Sequence, residues 1–361
     1  MTKIYAILIL IAAVFSGCMD DDALWNIGEA VLPTHSQGVF IANEGNFMYG
    51  NASLSYYDIE ESTVYNDVFF QANALPLGDV AHSILIRDEL GYVVVNNSGR
   101  VYVFDINTFE LKGKITGLTS PRYMHFVNDQ KAYITDLYAR SIAVVNPETL
   151  ELHGAINVNN PEGGFYQHST EQMVQYGSYV FVACWSYDSH ILVIDSERDE
   201  WIETLEVMPQ PNSMVLDKYG KLWVLSDGGF PGSPYLFDKA ALMRIDALSR
   251  ETEHVFYFEP GDRPLSLSIN AAGDTLYFIN HHVYRHPVTG SDSPGVFLAS
   301  PYETGHYGGF SAIGIDPVTS EIYVADALDY VQPGLVYRFT PEAEPVDTFR
   351  VGIIPGAFAF K

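Results

Sequence analysis

The chain has 361 residues, of which 47% are hydrophobic and only 18% are charged, and its formal net charge is −26. This composition is typical of a packed globular protein and excludes a disordered one. So large a negative charge repels phosphate backbones, which argues against nucleic-acid binding, and it excludes a basic membrane-binding surface.

The chain begins with the pattern of a lipoprotein signal. Lys3 precedes an unbroken apolar run over residues 4–15, which is too short for a membrane-spanning helix of about 20 residues. The run fits the apolar region of a secretory signal, and two small residues follow it before Cys18. This order resembles a bacterial lipobox, so we expect residues 1–17 to be removed and Cys18 to be lipidated. An ordinary signal peptide is the alternative.

Three aspartates, at positions 20–22, follow this cysteine almost at once. They fit a solvated linker or a helix cap. They also resemble the signal by which some Gram-negative lipoproteins are exported to the outer face of the outer membrane. If the rest of the chain captures a ligand from outside the cell, the tether must face outward, and on this ground we favour export. Residues 18–37 are therefore interpreted as a lipidated, acidic tether at the cell exterior.

From residue 38 onward, the chain repeats a pattern of short strands. Each unit has an apolar strand that opens on an aromatic residue, then a polar gap, then a second apolar strand that ends in Asp or Asn. The aromatic residues recur at intervals of 41 to 54 residues, at Tyr92, Tyr133, Tyr179, Trp223, Tyr277 and Tyr323. An earlier copy near Phe40 gives seven units. The later of the two apolar strands in each unit ends at Asp58, Asp105, Asn146, Asp195 or Asp246. The last two copies, placed around "VFLAS" and "LVYRFT", lack this residue.

A further strand precedes each aromatic strand except the first, and a more polar fourth strand follows. Four short antiparallel strands per roughly 45 residues are typical of a β-propeller blade. The chain ends in an unmatched strand, residues 356–361, which can supply the missing inner strand of the first unit and cover its edge. The sequence predicts an all-β, seven-bladed β-propeller over residues 38–361, closed by this strand. A pair of β-sandwiches or an open solenoid would leave the last strand unexplained.

The loops at the two faces of the predicted ring differ. The turns between the first and second strands, and between the third and fourth, are short and polar, as in plain hairpins. The loops between the second and third strands are long and aromatic, and exposed aromatics indicate binding because they offer flat apolar area with a polar tip. We predict that this face binds a ligand through Phe47, Tyr49, Tyr138, Trp185, Tyr187, Phe230, Tyr235, Tyr284 and Tyr330. Packing of the same loops on each other is the alternative.

Signals of an enzyme are weak. The residues predicted at the mouth of the central channel include one carboxylate, Glu171, which is too few for the calcium cup of propeller hydrolases. His281, His282 and His286 share one predicted loop, but their spacing is not that of a zinc site, so we expect His282 to make a polar ligand contact. Cys184 lies in an apolar strand pattern and is expected to be buried. No nucleophile elbow, phosphate-binding glycine loop or paired-cysteine motif occurs, so we expect neither an enzyme nor a catalytic cofactor or metal.

Three stretches carry a resemblance to a known family. "VFIANEGNFMYGNASLSYYDIEESTVYNDVFF" resembles the first blade of the surface-exposed propeller lipoproteins that capture cobalamin (vitamin B12) in gut Gram-negative bacteria. "DLYARSIAVVNPET" and "NSMVLDKYGKLWVLSDGG" fit the same family. The resemblance implies a binding protein that holds cobalamin on its loop face and passes it to a TonB-dependent outer-membrane transporter.

The residues of the loop face suit this ligand. The corrin is a broad, partly apolar disc that is ringed by amides and carries one nucleotide phosphate. The aromatic residues would cover the disc, and Asn46, Asn97 and Asn212 would pair with the amides. Arg122 or Arg140 would meet the phosphate. Two other interpretations stay open: a propeller that binds a glycan or a protein partner, and a hydrolase or quinoprotein enzyme.

Overall fold

The computed structural model describes residues 32–361, with the exception of residues 34, 162–167, 234–236, 304 and 306. Within that part of the chain, Pro33–Lys361 forms a compact unit of 28 strands and one short helix. The strands are β1 (Gly38–Asn43), β2 (Ser53–Asp58), β3 (Thr63–Tyr65), β4 (Ala81–Arg87), β5 (Leu90–Val95), β6 (Arg100–Asp105), β7 (Leu111–Ile115), β8 (Pro121–Asn128), β9 (Lys131–Asp136), β10 (Ser141–Asn146), β11 (Glu151–Asn157), β12 (Thr170–Tyr176), β13 (Tyr179–Cys184), β14 (His190–Asp195), β15 (Glu200–Glu206), β16 (Pro211–Leu216), β17 (Lys221–Ser226), β18 (Ala241–Asp246), β19 (Thr252–Tyr257), β20 (Leu265–Ile269), β21 (Thr275–Asn280), β22 (His282–Pro287), β23 (Gly295–Leu298), β24 (Phe310–Ile315), β25 (Ile322–Asp326), β26 (Pro333–Phe339), β27 (Pro345–Ile353) and β28 (Pro355–Phe360), and the helix is α1 (Val68–Asn73).

The strands form seven four-stranded antiparallel sheets, and each sheet is one blade of a β-propeller. Blades 2 to 7 use consecutive strands, from β4–β7 to β24–β27, whereas blade 1 has the order β28-β1-β2-β3. The inner strand of each blade packs against the inner strands of its two neighbours, which closes the circle. The predicted all-β, seven-bladed fold is confirmed.

The C-terminal strand completes blade 1. In the antiparallel register of β28 and β1, Phe358 lies opposite Ile41 and Phe360 lies opposite Val39. The backbone N–H of Lys361 also donates to the carbonyl of Gly38 over 2.9 Å. The edge of β1 is thereby covered by a strand from the other end of the chain, as the unmatched final segment predicted.

The core lies between neighbouring blades. One apolar cluster joins Phe181 and Val193 of blade 4 to Leu222 and Met243 of blade 5, and all four side chains are buried. Burying an aliphatic or aromatic side chain of this size contributes about 1.5–3 kcal/mol. The aromatic residues that open the second strands take part in this packing, and Trp223 is fully buried. The sheets are held face to face in this way, which gives the loops of all blades a fixed base.

The Asp and Asn residues that recur at the ends of third strands form hydrogen bonds within the turns that follow. The Oδ1 atom of Asp105 accepts backbone hydrogen bonds from Asn107 (2.9 Å) and Thr108 (3.1 Å), which closes the tight turn between β6 and β7. Asn146 makes the same two bonds after β10. A short side chain that bonds the backbone two and three residues ahead is a common turn device. The recurring residue is therefore structural, and it lies on the face opposite the long loops.

Blade 6 differs from its prediction. The sequence predicts that the stretch with His281, His282 and His286, residues 280–295, is a long loop. The structure has β22 instead, which begins at His282, directly after His281, and in which Val283 is fully buried. "VFLAS" therefore contributes the fourth strand of this blade, β23, and not the third. The sequence did not predict β22 as a strand, because it is rich in histidine and few of its positions are buried. Helix α1, after β3, was also not predicted.

Two further observations complete the fold. Cys184 is fully buried in β13, as its apolar strand pattern predicted, and burial raises the pKa of its thiol. No helix among the residues that the structure describes is long and apolar enough to cross a membrane.

Candidate functional site

The loops after the second and fourth strands of every blade emerge on one face of the ring, which we call the loop face. The inner strands begin on this face, because their first residues pair with residues at the end of the second strand, as Ala81 does with Val95. A cavity of about 710 Å³ follows the central channel from here. Its polar lining at the loop face includes Glu44, His82, Arg122, Glu171, Asn212 and Asp227.

Charged side chains and one histidine form a chain across the mouth of this cavity. The Nε atom of Arg122 lies 2.7 Å and 2.9 Å from the two carboxylate oxygens of Glu171. His82 stands between two carboxylates, with Nε2 3.7 Å from Glu171 and Nδ1 3.6 Å from Glu44. Burial alone would raise the pKa of Glu171, but the Arg122 guanidinium and His82 hold it below its ordinary value.

This ion pair changes the expectation for Arg122. Both partners are largely buried, with only 13% of the Arg122 side chain and 4% of the Glu171 side chain exposed. A guanidinium that is already neutralised by a buried carboxylate is a poor partner for a ligand phosphate. Arg122 lines the cavity, as predicted, but its role there is to balance Glu171.

Trp185 forms part of the cavity wall between blades 4 and 5. It follows β13, and its indole Nε1 donates to Oδ2 of Asp227 over 3.0 Å. The guanidinium carbon of Arg122 lies 5.9 Å from the centre of the Trp185 ring, within the range of a cation–π contact. Burial raises the pKa of Asp227, despite the hydrogen bond from Trp185 that lowers it. The predicted residue Trp185 is thus placed at the channel mouth and held there by the half-buried Asp227.

Sequence reasoning missed two of the carboxylates at this mouth. It considered the first residues of the inner strands and found Glu171 alone, whereas Glu44 follows β1 and Asp227 follows β17. The available signal was their position one residue after a second strand, where the chain turns onto the loop face. The cavity therefore has three acidic side chains and one arginine, and it favours ligand groups that donate hydrogen bonds.

Exposed aromatic side chains lie on the loop face around the cavity. Phe47 is 63% exposed and Tyr49 is 78% exposed, in the loop between β1 and β2, and Tyr138 is 61% exposed in blade 3. The first of these loops is held in place, because the Asn46 amide donates to the carbonyl of Tyr330 over 2.7 Å. Large exposed aromatics on a fixed loop are unusual unless they contact another molecule.

The other aromatic residues predicted for this face are placed differently. Tyr187 is half-buried beside the exposed Phe230, with their ring centres 6.4 Å apart. Tyr330 is half-buried against Tyr307, an exposed residue of the loop before β24 that was not predicted. Tyr284 is not on the loop face, since it lies within β22; that prediction is wrong. Its ring stacks on Phe278 at 5.4 Å, which makes it part of the blade.

Some of the predicted polar residues already form hydrogen bonds within the protein. The Asn212 amide donates to the carbonyl of Pro264 over 2.8 Å, and His282 Nδ1 accepts from the backbone N–H of Ser300 over 3.0 Å. Asn97 and Arg140 are exposed on the loop face, in blades 2 and 3. Two predicted residues, Tyr235 and Cys18, lie outside the residues that the structure describes.

The fold and the channel define a seven-bladed β-propeller whose loop face surrounds an acidic, partly aromatic cavity. Residues 37–350 match the family described as "Domain of unknown function (DUF5074)", so the chain belongs to that family. No curated protein matches the chain.

Several solved structures are similar in fold. A quinonprotein alcohol dehydrogenase-like protein from Bacteroides thetaiotaomicron has a TM-score of 0.68 and 15% identity, over 90% of this chain and 78% of the other. A protein from Lactobacillus plantarum has a TM-score of 0.65 and 11% identity, over 90% and 99%. Kuenenia stuttgartiensis hydrazine synthase has a TM-score of 0.63 and 14% identity, over 77% and 88%. At such low identity these similarities show the propeller fold alone.

Proposed function

We propose that this protein captures cobalamin on the loop face and that it is a binding protein, not an enzyme. The observation that carries the proposal is the set of exposed aromatics, Phe47, Tyr49 and Tyr138, on fixed loops around a polar channel mouth. Flat rings of this kind suit a broad, partly apolar disc. The resemblance of the first blade to cobalamin-capturing propeller lipoproteins supports the same ligand.

The polar groups suit the rim of a corrin better than its phosphate. Corrin amides donate hydrogen bonds, and Glu44 and Asp227 offer carboxylate acceptors at the cavity. Asn97 lies exposed on the same face; its amide N–H already donates to Oδ2 of Asp79, so its side-chain oxygen is the group that would accept from a corrin amide. We assign the phosphate contact to Arg140, because its side chain is exposed on the loop face, whereas the Arg122 side chain is largely buried.

The location and the partner form part of the same proposal. Lipidation at Cys18 would anchor the ring to the outer membrane, and the acidic residues 20–22 would direct it to the cell exterior. From there it would pass cobalamin to a TonB-dependent transporter. Replacement of the three aspartates by alanine should reduce the accessibility of the protein to protease on whole cells. Undiminished accessibility would identify these residues as a solvated linker only.

The deciding experiment is a calorimetric titration of the chain from Asp20 onward with cyanocobalamin. We expect saturable binding of one molecule per chain. Absence of binding at micromolar ligand would overturn the proposal, and parallel titrations with soluble glycans would then test the alternative of a glycan-binding propeller. Tyr219→Ala is the matched control, because Tyr219 is 58% exposed but lies in the turn between β16 and β17, on the opposite face. This variant should bind cobalamin as the wild type does.

A further inference from the structure

Two histidines and an aspartate meet at the loop-face end of blade 4, outside the central cavity. His168 lies just before β12, Asp188 lies between β13 and β14, and His190 is the first residue of β14. The Nδ1 atom of His168 is 2.6 Å from Oδ2 of Asp188, and Nδ1 of His190 contacts the other oxygen, Oδ1. One ligand atom from each side chain lies within 4.8 Å of the others.

The cluster is enclosed by the blade. His168 is 4% exposed and Asp188 is 5% exposed, whereas His190 reaches the surface. The ring of Trp201 packs edge-on against His168, with the ring centres 5.2 Å apart. Two such deeply buried polar side chains, drawn with His190 from two separate chain segments, are costly to gather unless they satisfy one another or hold an ion.

Both ring nitrogens of His190 face a carboxylate. Its Nε2 lies 3.0 Å from a carboxylate oxygen of Glu206 in β15, and its Nδ1 faces Asp188. In the metal-free protein a doubly protonated imidazole satisfies both carboxylates. A metal ion bound at Nδ1 would take the place of one of these protons, and the Nε2–H would still donate to Glu206. A carboxylate behind a histidine that faces a ligand cluster is the usual outer sphere of a metal-binding histidine.

We propose that His168, Asp188 and His190 form a binding site for a divalent transition-metal ion, with Zn²⁺ as the ion that fits best. Two imidazoles and one carboxylate are typical zinc ligands, at about 2.0–2.2 Å from the metal, and they leave a fourth position for water. Ligand atoms of tetrahedral zinc stand about 3.3 Å apart, so the 2.6 Å contact would widen by under about 1 Å.

The proposed metal site is connected by hydrogen bonds to the loop that carries Trp185 and Tyr187. The backbone N–H of Asp188 donates to the carbonyl of Trp185 over 3.2 Å, and the Asp188 carbonyl accepts from the backbone N–H of Gln210 over 2.8 Å. An ion at Asp188 would therefore fix the end of this loop against blade 5. The zinc site itself does not depend on the ligand proposed for the loop face, since none of its three side chains lines the central cavity.

The test is zinc binding by the untagged chain from Asp20 onward, after removal of metals with EDTA. After incubation with equimolar ZnCl₂ and gel filtration, we expect one zinc ion per chain by plasma mass spectrometry. His190→Ala and His168→Asn should each weaken zinc binding at least 100-fold in a competitive titration. His153→Ala is the matched control, because His153 is exposed in β11, and it should bind zinc normally.

A spectroscopic measurement separates a metal site from a hydrogen-bonded cluster. Co²⁺ in place of zinc should give the visible absorption of a four-coordinate site in the wild type and in His153→Ala, but not in His190→Gln. This variant changes a partly exposed residue, so it decides the question where His168→Asn fails to fold. A wild type that binds no zinc at micromolar concentration, or a His190→Gln variant that keeps full zinc affinity, would overturn the proposal. The cyanocobalamin titration is a separate measurement, so either proposal can fail without the other.

Discussion

The indole of Trp185 and the carboxylate of Asp227 are joined by a 3.0 Å hydrogen bond across the boundary between blades 4 and 5. The two residues follow corresponding strands, β13 and β17, so the bond links two neighbouring loops at the channel mouth. The bond satisfies a carboxylate whose pKa is raised by burial, and it fixes the position of the largest ring that lines the cavity. This arrangement makes Trp185 the best candidate for a rigid aromatic anchor.

Trp185→Ala should weaken cyanocobalamin binding by about 1–3 kcal/mol, which is the usual cost of truncating a buried aromatic anchor. Tyr187→Ala should have an effect of similar size. Trp185→Phe should lose less, since it keeps apolar ring area and removes only the bond to Asp227. Calorimetry measures all three variants, with Tyr219→Ala on the opposite face as the control. Unchanged affinity in both alanine variants would assign the ligand to other loops.

Phe47→Ala and Tyr49→Ala should each lower the affinity for cyanocobalamin without changing the stability of the fold. Both side chains are more than half exposed, and surface substitutions of this kind usually alter stability by less than about 0.5 kcal/mol. Isothermal titration and thermal melting are measured on the same samples. If the melting temperature falls together with the affinity, the two residues support the loop and do not contact the ligand.

Arg122 and Glu171 offer a test of the ion pair at the channel mouth. Glu171→Gln removes the partner of a buried guanidinium and should destabilise the fold by about 3–5 kcal/mol, as measured by urea denaturation. The double replacement Arg122→Met with Glu171→Met should cost clearly less, because it leaves no buried charge. Equal losses in the single and the double variant would show that the pair does not act as a unit.

Much of the fold followed from the sequence because it is periodic. The aromatic residues that open the second strands pack between blades, and nearly all of them are buried. The Asp or Asn that ends the third strand in five of the seven blades closes a turn. Each of these residue types therefore recurs for one local structural reason. The closing strand was predictable because one unit lacked a partner at the start of the chain and one strand was unpaired at its end. The prediction of the strands in blade 6 was wrong because β22 is rich in histidine and follows β21 after a single residue.

The site was less predictable than the fold. Arg122 and Glu171 are 49 residues apart in sequence and come together only because blades 3 and 4 are neighbours in the ring. Glu44 and Asp227 lie in loops that have no periodic pattern. The exposed aromatics could be predicted from composition, but the half-burial of Tyr187 and Tyr330 depends on how neighbouring loops pack. Local patterns predict residue types, whereas pairs across blades require the three-dimensional ring.

Removal of residues 355–361 should disrupt the ring. Without β28, the strand β1 loses its inner partner, and an open strand edge is exposed next to an apolar surface. We expect the shortened chain to melt at a much lower temperature and to aggregate, as seen by light scattering. Removal of Lys361 alone is the control and should have little effect. A shortened chain that stays monomeric with an unchanged melting temperature would contradict the closed ring.

His286 has an unusual environment on the opposite side of the blades from the loop face. It is 2% exposed, and its ring packs between Trp223 and Phe256, at 5.6 Å and 4.7 Å between ring centres. Burial lowers the pKa of His286 from 6.5 to about 4, and the nearby Arg244 guanidinium and His254 act in the same direction. Asp292 opposes them but does not reverse the shift.

This environment predicts a loss of stability in acid. Between pH 6.5 and 4 the unfolded chain protonates His286 and the folded protein does not, so the free energy of unfolding should fall with falling pH, by up to about 3 kcal/mol. Urea denaturation at pH 7, 5.5 and 4 measures this loss. The variant His286→Leu should show a smaller loss over the same interval, whereas His153→Gln, at an exposed position, should match the wild type. Equal losses in the wild type and His286→Leu would place the acid sensitivity at other groups.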